Sequence, residues 1–486
     1  MGGNPATPSK ACQPCRVKRR KCDMLRPGCS QCKRANIECG GYRDSFSLRL
    51  RDQTSLAAQK VQKSRSAGST GSTPDEKSET RNADAMTLVK IQGPSQSPES
   101  LAMGYFIHVY APSSTFEYLA EPAALITDLP EDALLAPALL LFSQNWRYPQ
   151  ARSLAQKHYA LALRATNKSL SSPDLATSDS TLLSVLLLSL FEALIFQGRS
   201  DPVNWNAHTQ GAMELLRLRG EEQFQRDLGR RLYRHASLNI RTQCAQVGVQ
   251  APLSLSTLES SYLDCPRPRE HQHTWLFGQI VNGIANFRAR QHELSPSEIF
   301  QSLLRLDSAL SKILTNLHRD EPFRSLDATT LQKPVCGFRG RIDQYPSFRA
   351  ARTMNTMRIV RLFVIQMLDQ ALISIPAQAG DMQPDLRARA HKLVQTTAVD
   401  MILEILYSVA YILELYDKPN LSARSLIYCL SGVAVFRFAP ADAKDYAVER
   451  LKFVGERYGF PQAIDSANMV LQVKELEDWI HLAVLS

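Results

Sequence analysis

The sequence lacks any run of about 20 apolar residues, the length that a bilayer-spanning helix needs. Its longest apolar stretch, Leu182 to Phe196, is broken by Ser184, Ser189 and Glu192. It reads as a buried core helix, and no membrane partner is expected. The first ten residues, Met1 to Lys10, contain no apolar segment of the secretory type. The chain is therefore expected inside the cell, where thiols stay reduced. Catalytic signatures are missing as well. There is no GxSxG, no HExxH, no P-loop and no GxGxxG, so no enzyme is expected. Strand-like alternation of apolar and polar residues is scarce.

Acidic residues are scarce in one region. Residues 1–65 hold 15 Lys/Arg against 4 Asp/Glu, whereas residues 66–486 hold 42 against 43. The net charge of +10 thus belongs wholly to the first 65 residues. A basic block of this kind points to a polyanionic partner. The rest has ordinary globular composition, with 44% hydrophobic and 21% charged residues in 486. That length allows two or three domains.

Six of the ten cysteines lie in the same basic region, at Cys12, Cys15, Cys22, Cys29, Cys32 and Cys39. Their spacing is C-x2-C-x6-C twice over, with six residues between the halves. In a reducing compartment such a cluster suggests metal rather than disulfides. Zinc takes four ligands in a tetrahedron and favours thiolates in structural sites. One zinc would leave two cysteines idle. Six sulfurs serve two zincs if two of them bridge, and the repeat makes Cys12 and Cys29, the first of each half, the natural pair. A metal-stapled protein-binding module or a metal store is the alternative, but neither needs cations packed between ligands. The isolated Cys244, Cys265, Cys336 and Cys429 read as small buried hydrophobes.

The stretch CQPCRVKRRKCDMLRPGCSQCKRANIEC, Cys12 to Cys39, closely resembles the fungal zinc binuclear cluster DNA-binding domain. It shares the family's cysteine spacing, the basic run between the second and third cysteines, the Asp after the third, and a loop proline, here Pro27. The resemblance implies two structural zinc ions. Cys12, Cys15, Cys22 and Cys29 would hold one, and Cys12, Cys29, Cys32 and Cys39 the other. It also implies recognition of CGG triplets in double-stranded DNA, with Lys18 and Arg19 reading bases. Arg16, Arg20 and Lys21 would contact phosphates, as would Lys33 and Arg34 in the second half. Arginine and lysine pair with guanine O6 and N7 in the major groove, and phosphate contacts position a module without specifying sequence. The same run could serve as a nuclear import signal.

After Cys39, residues 40–65 form a basic linker. Phe46, Leu50, Ala57 and Val61 sketch a weak helical stripe, but no heptad persists, so a coiled-coil dimer is not expected. Monomer binding to a single triplet and dimerisation through the large domain both stay open. Residues 66–100 contain 11 Ser/Thr with Pro74, Pro94 and Pro98 and read as a disordered linker, as do residues 1–11 at the other end of the module.

Residues 101–486 read as one all-α domain. Ser295-Pro296-Ser297-Glu298 is a capping box with proline at the first helical position. Ile299, Leu303, Leu306, Leu310, Ile313 and Leu317 then step by threes and fours. Helices are also expected over 180–196, 207–219, 227–247, 347–373 and 385–413. The stretches SDSTLLSVLLLSLFE, WNAHTQGAMELLRLRG, LGRRLYRHASLNIRTQCAQVGV and RLKFVGERYGFPQA resemble the regulatory middle homology domain of fungal transcription factors. His271 and His273 read as surface residues. His208 and His235 read as polar-face or hydrogen-bonded core residues. Arg217, Arg219, Arg226, Arg230, Arg231 and Arg234 read as a solvated, salt-bridged face beside Glu221, Glu222 and Asp227. The tail 475–486 reads as a closing helix, with an acidic activation segment as the alternative.

The resemblances together imply a mainly α, nuclear, sequence-specific regulator of RNA polymerase II genes. Its helical domain would contact co-regulators or the transcription machinery. Many relatives sit in secondary-metabolite gene clusters, so a pathway-specific role is expected by analogy.

Overall fold

The computed structural model describes residues 12–18, 20–23, 29–37, 39, 96–121, 128–146, 148–195, 203–265, 272–374, 384–416 and 422–469. The chain divides into two compact units, Met1–Ile91 and Gln92–Ser486. The expected linkers up to residue 95 and the 475–486 tail lie outside the described residues, as do Pro27, Arg19 and His271. Residues 98–100, expected as disordered linker, instead open the helix Pro98–Tyr105, because Ser97 caps it by accepting the Ser100 N–H and Pro98 takes its first position.

The first unit contributes two short helices, α1 (Gln13–Val17) and α2 (Ser30–Arg34). The second is helical almost throughout. Its elements are α3 (Pro98–Tyr105), α4 (Glu131–Asn145), α5 (Pro149–Leu170), α6 (Asp179–Ile195), α7 (Val203–Arg219), α8 (Asp227–Val247) and α9 (Leu253–Leu263). There follow α10 (Gln272–Arg290), α11 (Pro296–Asp320), α12 (Phe348–Ser374), α13 (Pro384–Ala410), α14 (Ser425–Val435), α15 (Ala441–Tyr458) and α16 (Pro461–Met469). No described helix is long and apolar enough to cross a membrane.

Sequence explains most of these boundaries. The capping box before α11 is formed. The Ser295 side chain accepts from the Glu298 N–H, and the Glu298 carboxylate accepts from the Ser295 N–H. Leu303, Leu310, Ile313 and Leu317 are buried from this helix, and it packs along α12. Helix α8 ends at Gly248 and α15 at Gly459. Both glycines adopt the left-handed conformation that closes a helix (φ 76° and 74°), which side chains disfavour. Gly229 is needed for another reason. A Cβ there would lie 2.0 Å from the Gln223 carbonyl oxygen, so the first turn of α8, packed against the turn before it, tolerates no side chain at this position.

The apolar run is the centre of the core. Every residue from Asp179 to Leu194 is buried, because α6 is covered by α4, α5 and α7 together. A helix surrounded on all sides can be apolar all round, which accounts for its lack of a polar face.

Three features depart from the expected pattern. A two-stranded antiparallel hairpin, β1 (Arg324–Asp327) with β2 (Arg341–Gln344), interrupts the all-α domain. Four-residue strands leave too little alternation to see in sequence. Arg219 is buried at the end of α7 and pairs with the buried Asp179, so it does not belong to a solvated face. Arg230 and Arg231 do pair with Asp227, but Arg231 also reaches Glu121, and Arg234 binds Glu117. Among the isolated cysteines, Cys244 and Cys429 are buried and Cys265 partly so, whereas Cys336 is exposed.

His235 is a hydrogen-bonded core residue, and His208 is hydrogen-bonded and partly buried. The His235 Nδ1 lies 3.1 Å from the Tyr118 hydroxyl, and the His208 Nε2 lies 3.2 Å from that of Tyr159. Burial pushes the His235 imidazole down to about 3, helped by the neighbouring Arg234 charge, and pushes His208 down to about 4. Both are neutral when folded, while the unfolded chain takes up protons below about pH 6.5. Stability therefore falls as pH drops through the window from about 6.5 to the folded values. For His235 the slope is about 1.4 kcal/mol per pH unit. Urea unfolding at pH 7 and pH 5 should show this loss, and His235→Gln should flatten it. Parallel pH dependences of the two proteins would contradict the assignment.

Candidate metal centre and nucleic-acid interface

The N-terminal module is built from two short helices, each presenting sulfurs at its start. Cys12 precedes α1 and Cys15 lies within it. Cys29 is the N-cap of α2 and Cys32 lies within that helix. Two residues between the cysteines amount to about one helical turn, so each pair faces one side. The Cys29 sulfur accepts the Cys32 N–H at 3.3 Å, a hydrogen bond that suits an anionic sulfur.

The sulfurs converge. Cys12, Cys15, Cys29 and Cys32 bring their Sγ atoms within 4.8 Å of one another, and all four residues are buried. The Cys12–Cys29 separation is 3.7 Å, Cys12–Cys32 3.6 Å, Cys15–Cys29 3.6 Å and Cys12–Cys22 3.9 Å. A tetrahedron with zinc–sulfur bonds of about 2.3 Å has sulfur–sulfur edges of about 3.8 Å. Each of these four distances joins sulfurs within one of the two quartets that the family resemblance implies. Cys22 and Cys39 flank the group and are half-buried.

Neutral thiols have little reason to gather in this way. Burial pushes the Cys15 thiol up to about 12, and the neighbouring Cys12 and Cys29 sulfurs push in the same direction; Cys12 and Cys32 are raised by burial too. Sulfurs this close become thiolates only against strong positive charge, which coordinated divalent metal supplies. The donor set therefore fits zinc.

One further residue holds the two halves together. The Asp23 carboxylate, next to Cys22, accepts the Ser30 N–H at 3.1 Å and also the Ser30 hydroxyl. Asp23 thus fixes the segment after the third cysteine to the start of α2. The sequence marked Asp23 only as part of a pattern, and the pairing with Ser30 supplies its physical role.

The basic residues lie on the outside. Lys18, Arg20, Lys21, Lys33 and Arg34 are all exposed. Arg16 is on α1, although its side chain, like the whole of Arg19, lies outside the described residues. Asn36, just beyond α2, takes a left-handed conformation (φ 52°), which asparagine tolerates better than most side chains.

Comparison with known families places this geometry. Residues 10–49 match the fungal Zn(2)-Cys(6) binuclear cluster domain, and residues 132–244 match the fungal specific transcription factor domain. No curated protein and no solved structure matches the chain. A two-zinc, six-cysteine module followed by that helical region defines a DNA-binding transcription regulator. The two matched regions, in this order, are the pair of domains found in fungal Zn(2)-Cys(6) transcription factors, and what the chain shares with that family is shown over those regions. The second match takes in α4 to α7 and most of α8. The resembling stretch at 450–463 lies beyond it.

Proposed function

We propose that this chain is a nuclear regulator of RNA polymerase II genes that recognises CGG-type sites through its zinc module. The supporting observation is the set of buried sulfurs spaced like tetrahedron edges, with exposed Lys18, Arg20 and Lys21 between the second and third cysteines. Cys12, Cys15, Cys22 and Cys29 hold one zinc; Cys12, Cys29, Cys32 and Cys39 hold the other. Lys18 and Arg19 read bases. Arg16, Arg20, Lys21, Lys33 and Arg34 contact phosphates. Residues 12–39 form the reader, residues 40–100 the connection, and residues 101–486 the regulatory domain. That domain contacts co-regulators or a second copy of the chain and carries out no catalysis. A pathway-specific role in secondary metabolism rests on the family resemblance alone.

Substitution separates base readers from phosphate contacts. Lys18→Ala and Arg19→Ala should each cost about 1–3 kcal/mol on a CGG probe and little on a scrambled one. Arg20→Ala and Lys33→Ala should weaken both probes alike. Each should also reduce the log–log salt slope by about 0.9, the contribution of one neutralised phosphate. Quantitative gel-shift titrations across a salt series measure both effects. Uniform weakening by Lys18→Ala and Arg19→Ala would remove the case for base reading and leave electrostatic association.

A further inference from the structure

The helical unit exposes aromatic surface at the corner where α4 turns into α5. Trp146 stacks on Phe142 with ring centroids 4.8 Å apart, and Tyr105 of α3 meets the same indole edge-on at 4.8 Å. Tyr148, the N-cap of α5, stands 6.3 Å from Phe142. The Asn145 amide donates to the Tyr105 hydroxyl at 2.6 Å, which ties α3 to the end of α4. The rings are thus held in place, yet Trp146 is 53% exposed. Tyr148 is exposed too, as is Leu101, one turn before Tyr105. Single apolar side chains on a surface need no explanation. A fixed cluster of rings differs, because it offers a flat, rigid docking face at little cost in conformational entropy.

The same unit supplies an occupant of matching chemistry. Helix α16 starts beside this corner. Gln462 in its first turn and Gln144 in the last turn of α4 both donate to the Leu194 carbonyl, at 2.9 and 3.4 Å. The helix ends at Met469, and residues 470–486 follow it in the sequence. A helix the length of α16 spans only about 13 Å, whereas the stretch from Val470 to Asp478 can reach about 30 Å when extended. That brings Trp479, Ile480 and Leu482 within reach of the aromatic corner. Charge matches as well. Glu475, Glu477 and Asp478 directly precede Trp479. Arg152 lies one helical turn beyond Tyr148 and is exposed. Helix α5 also carries exposed Lys157, Arg164 and Lys168, and its sequence contains no Asp or Glu.

We propose that the aromatic corner formed by Tyr105, Phe142, Trp146 and Tyr148 is the docking face for residues 475–486 of the same chain. Trp479 and Ile480 pack on the rings, and the preceding acids lie toward Arg152 at the start of α5. A co-regulator that takes this acidic and apolar segment must first displace it from the corner. The closing-helix and activation-segment readings of the segment then describe its docked and released states. The contact does not depend on what the zinc module binds.

Hydrogen exchange followed by mass spectrometry on the full, zinc-loaded chain tests this. Amides 476–485 should exchange at least about tenfold more slowly than in a free peptide of the same sequence. Trp146→Ala and Trp479→Ala should each return them to the free rate while α6 stays as slow as before. Leu253→Ala, at an exposed leucine elsewhere, should change nothing. Arg152→Glu tests the same contact without touching the rings, and should speed exchange of 476–485 about threefold, the scale of an exposed ion pair. Exchange of 476–485 at the free rate in the unaltered chain would overturn the proposal, as would protection that survives Trp146→Ala. Unchanged exchange in Arg152→Glu would overturn the placement of the acids. Protection lost on tenfold dilution would put the segment on a second copy and overturn docking within one chain.

Discussion

Cys29→Ser is expected to release both zinc ions and abolish specific DNA binding, whereas Cys22→Ser should release about one. The difference follows from the proposed sharing of sulfurs. In the proposed arrangement Cys29 is shared by both tetrahedra; its sulfur lies 3.7 Å from that of Cys12, the other shared residue, and 3.6 Å from that of Cys15. Cys22 belongs to one, with its sulfur 3.9 Å from that of Cys12. The module is small, and its described buried core consists of the cysteines alone. Folding free energy must therefore come mainly from metal, at about 10–16 kcal/mol for a structural zinc site near neutral pH. Serine keeps the size but binds zinc far less well than a thiolate. A strong chelator should act like Cys29→Ser on the wild-type chain. Elemental analysis gives zinc per chain, and gel shift on a CGG probe gives binding. Cys336→Ser, at an exposed cysteine far along the sequence, is the control and should change neither. Two zincs retained in Cys29→Ser would refute the shared-sulfur arrangement.

Charge adds to this picture. Six thiolates and two zinc ions together contribute −2, so the +11 of residues 1–65 becomes about +9 in the loaded state. DNA affinity should fall steeply with salt through this segment, since the remaining residues are close to neutral.

The metal module was largely legible in the sequence because its geometry is local. The ligands fall within 28 residues, and C-x2-C spacing alone sets each pair on one helical side. The Asp23–Ser30 tether was less visible, since a seven-residue separation across a loop has no periodic signature. In the helical unit, α11 was readable from its capping box and stripe, and α8 from its periodicity. The β hairpin was not, being two four-residue strands whose stability comes from packing on α13 rather than from their own pattern. Arg219 was misread for a related reason. Sequence places it in an arginine-rich stretch beside acidic residues, and only the fold shows that its partner is forty residues back. The aromatic corner could not be read at all, because α3 and the turn from α4 to α5 meet there from separate parts of the chain.

The Arg219 pair carries the largest expected effect in the helical unit. Asp179 opens α6 and Arg219 closes α7. Their side chains are 8% and 2% exposed and in direct contact. Arg219 also donates to the Thr177 carbonyl at 2.9 Å. Asp179→Ala leaves a guanidinium out of water with no carboxylate, which typically costs about 3–5 kcal/mol. It also removes a negative charge from the first turn of α6, worth about 0.3–1 kcal/mol more. The other partner of Asp179 provides the contrast. Arg226 lies 3.2 Å from the same carboxylate but is 67% exposed, so Arg226→Ala should cost no more than about 1 kcal/mol. Asp179→Leu combined with Arg219→Met removes both buried charges and should recover most of the loss, because the desolvation cost goes with them. Urea unfolding of the four proteins measures the set. If Asp179→Ala and Arg226→Ala cost the same, the pair is not buried as described, and the packing of α6 against α7 must differ from this account.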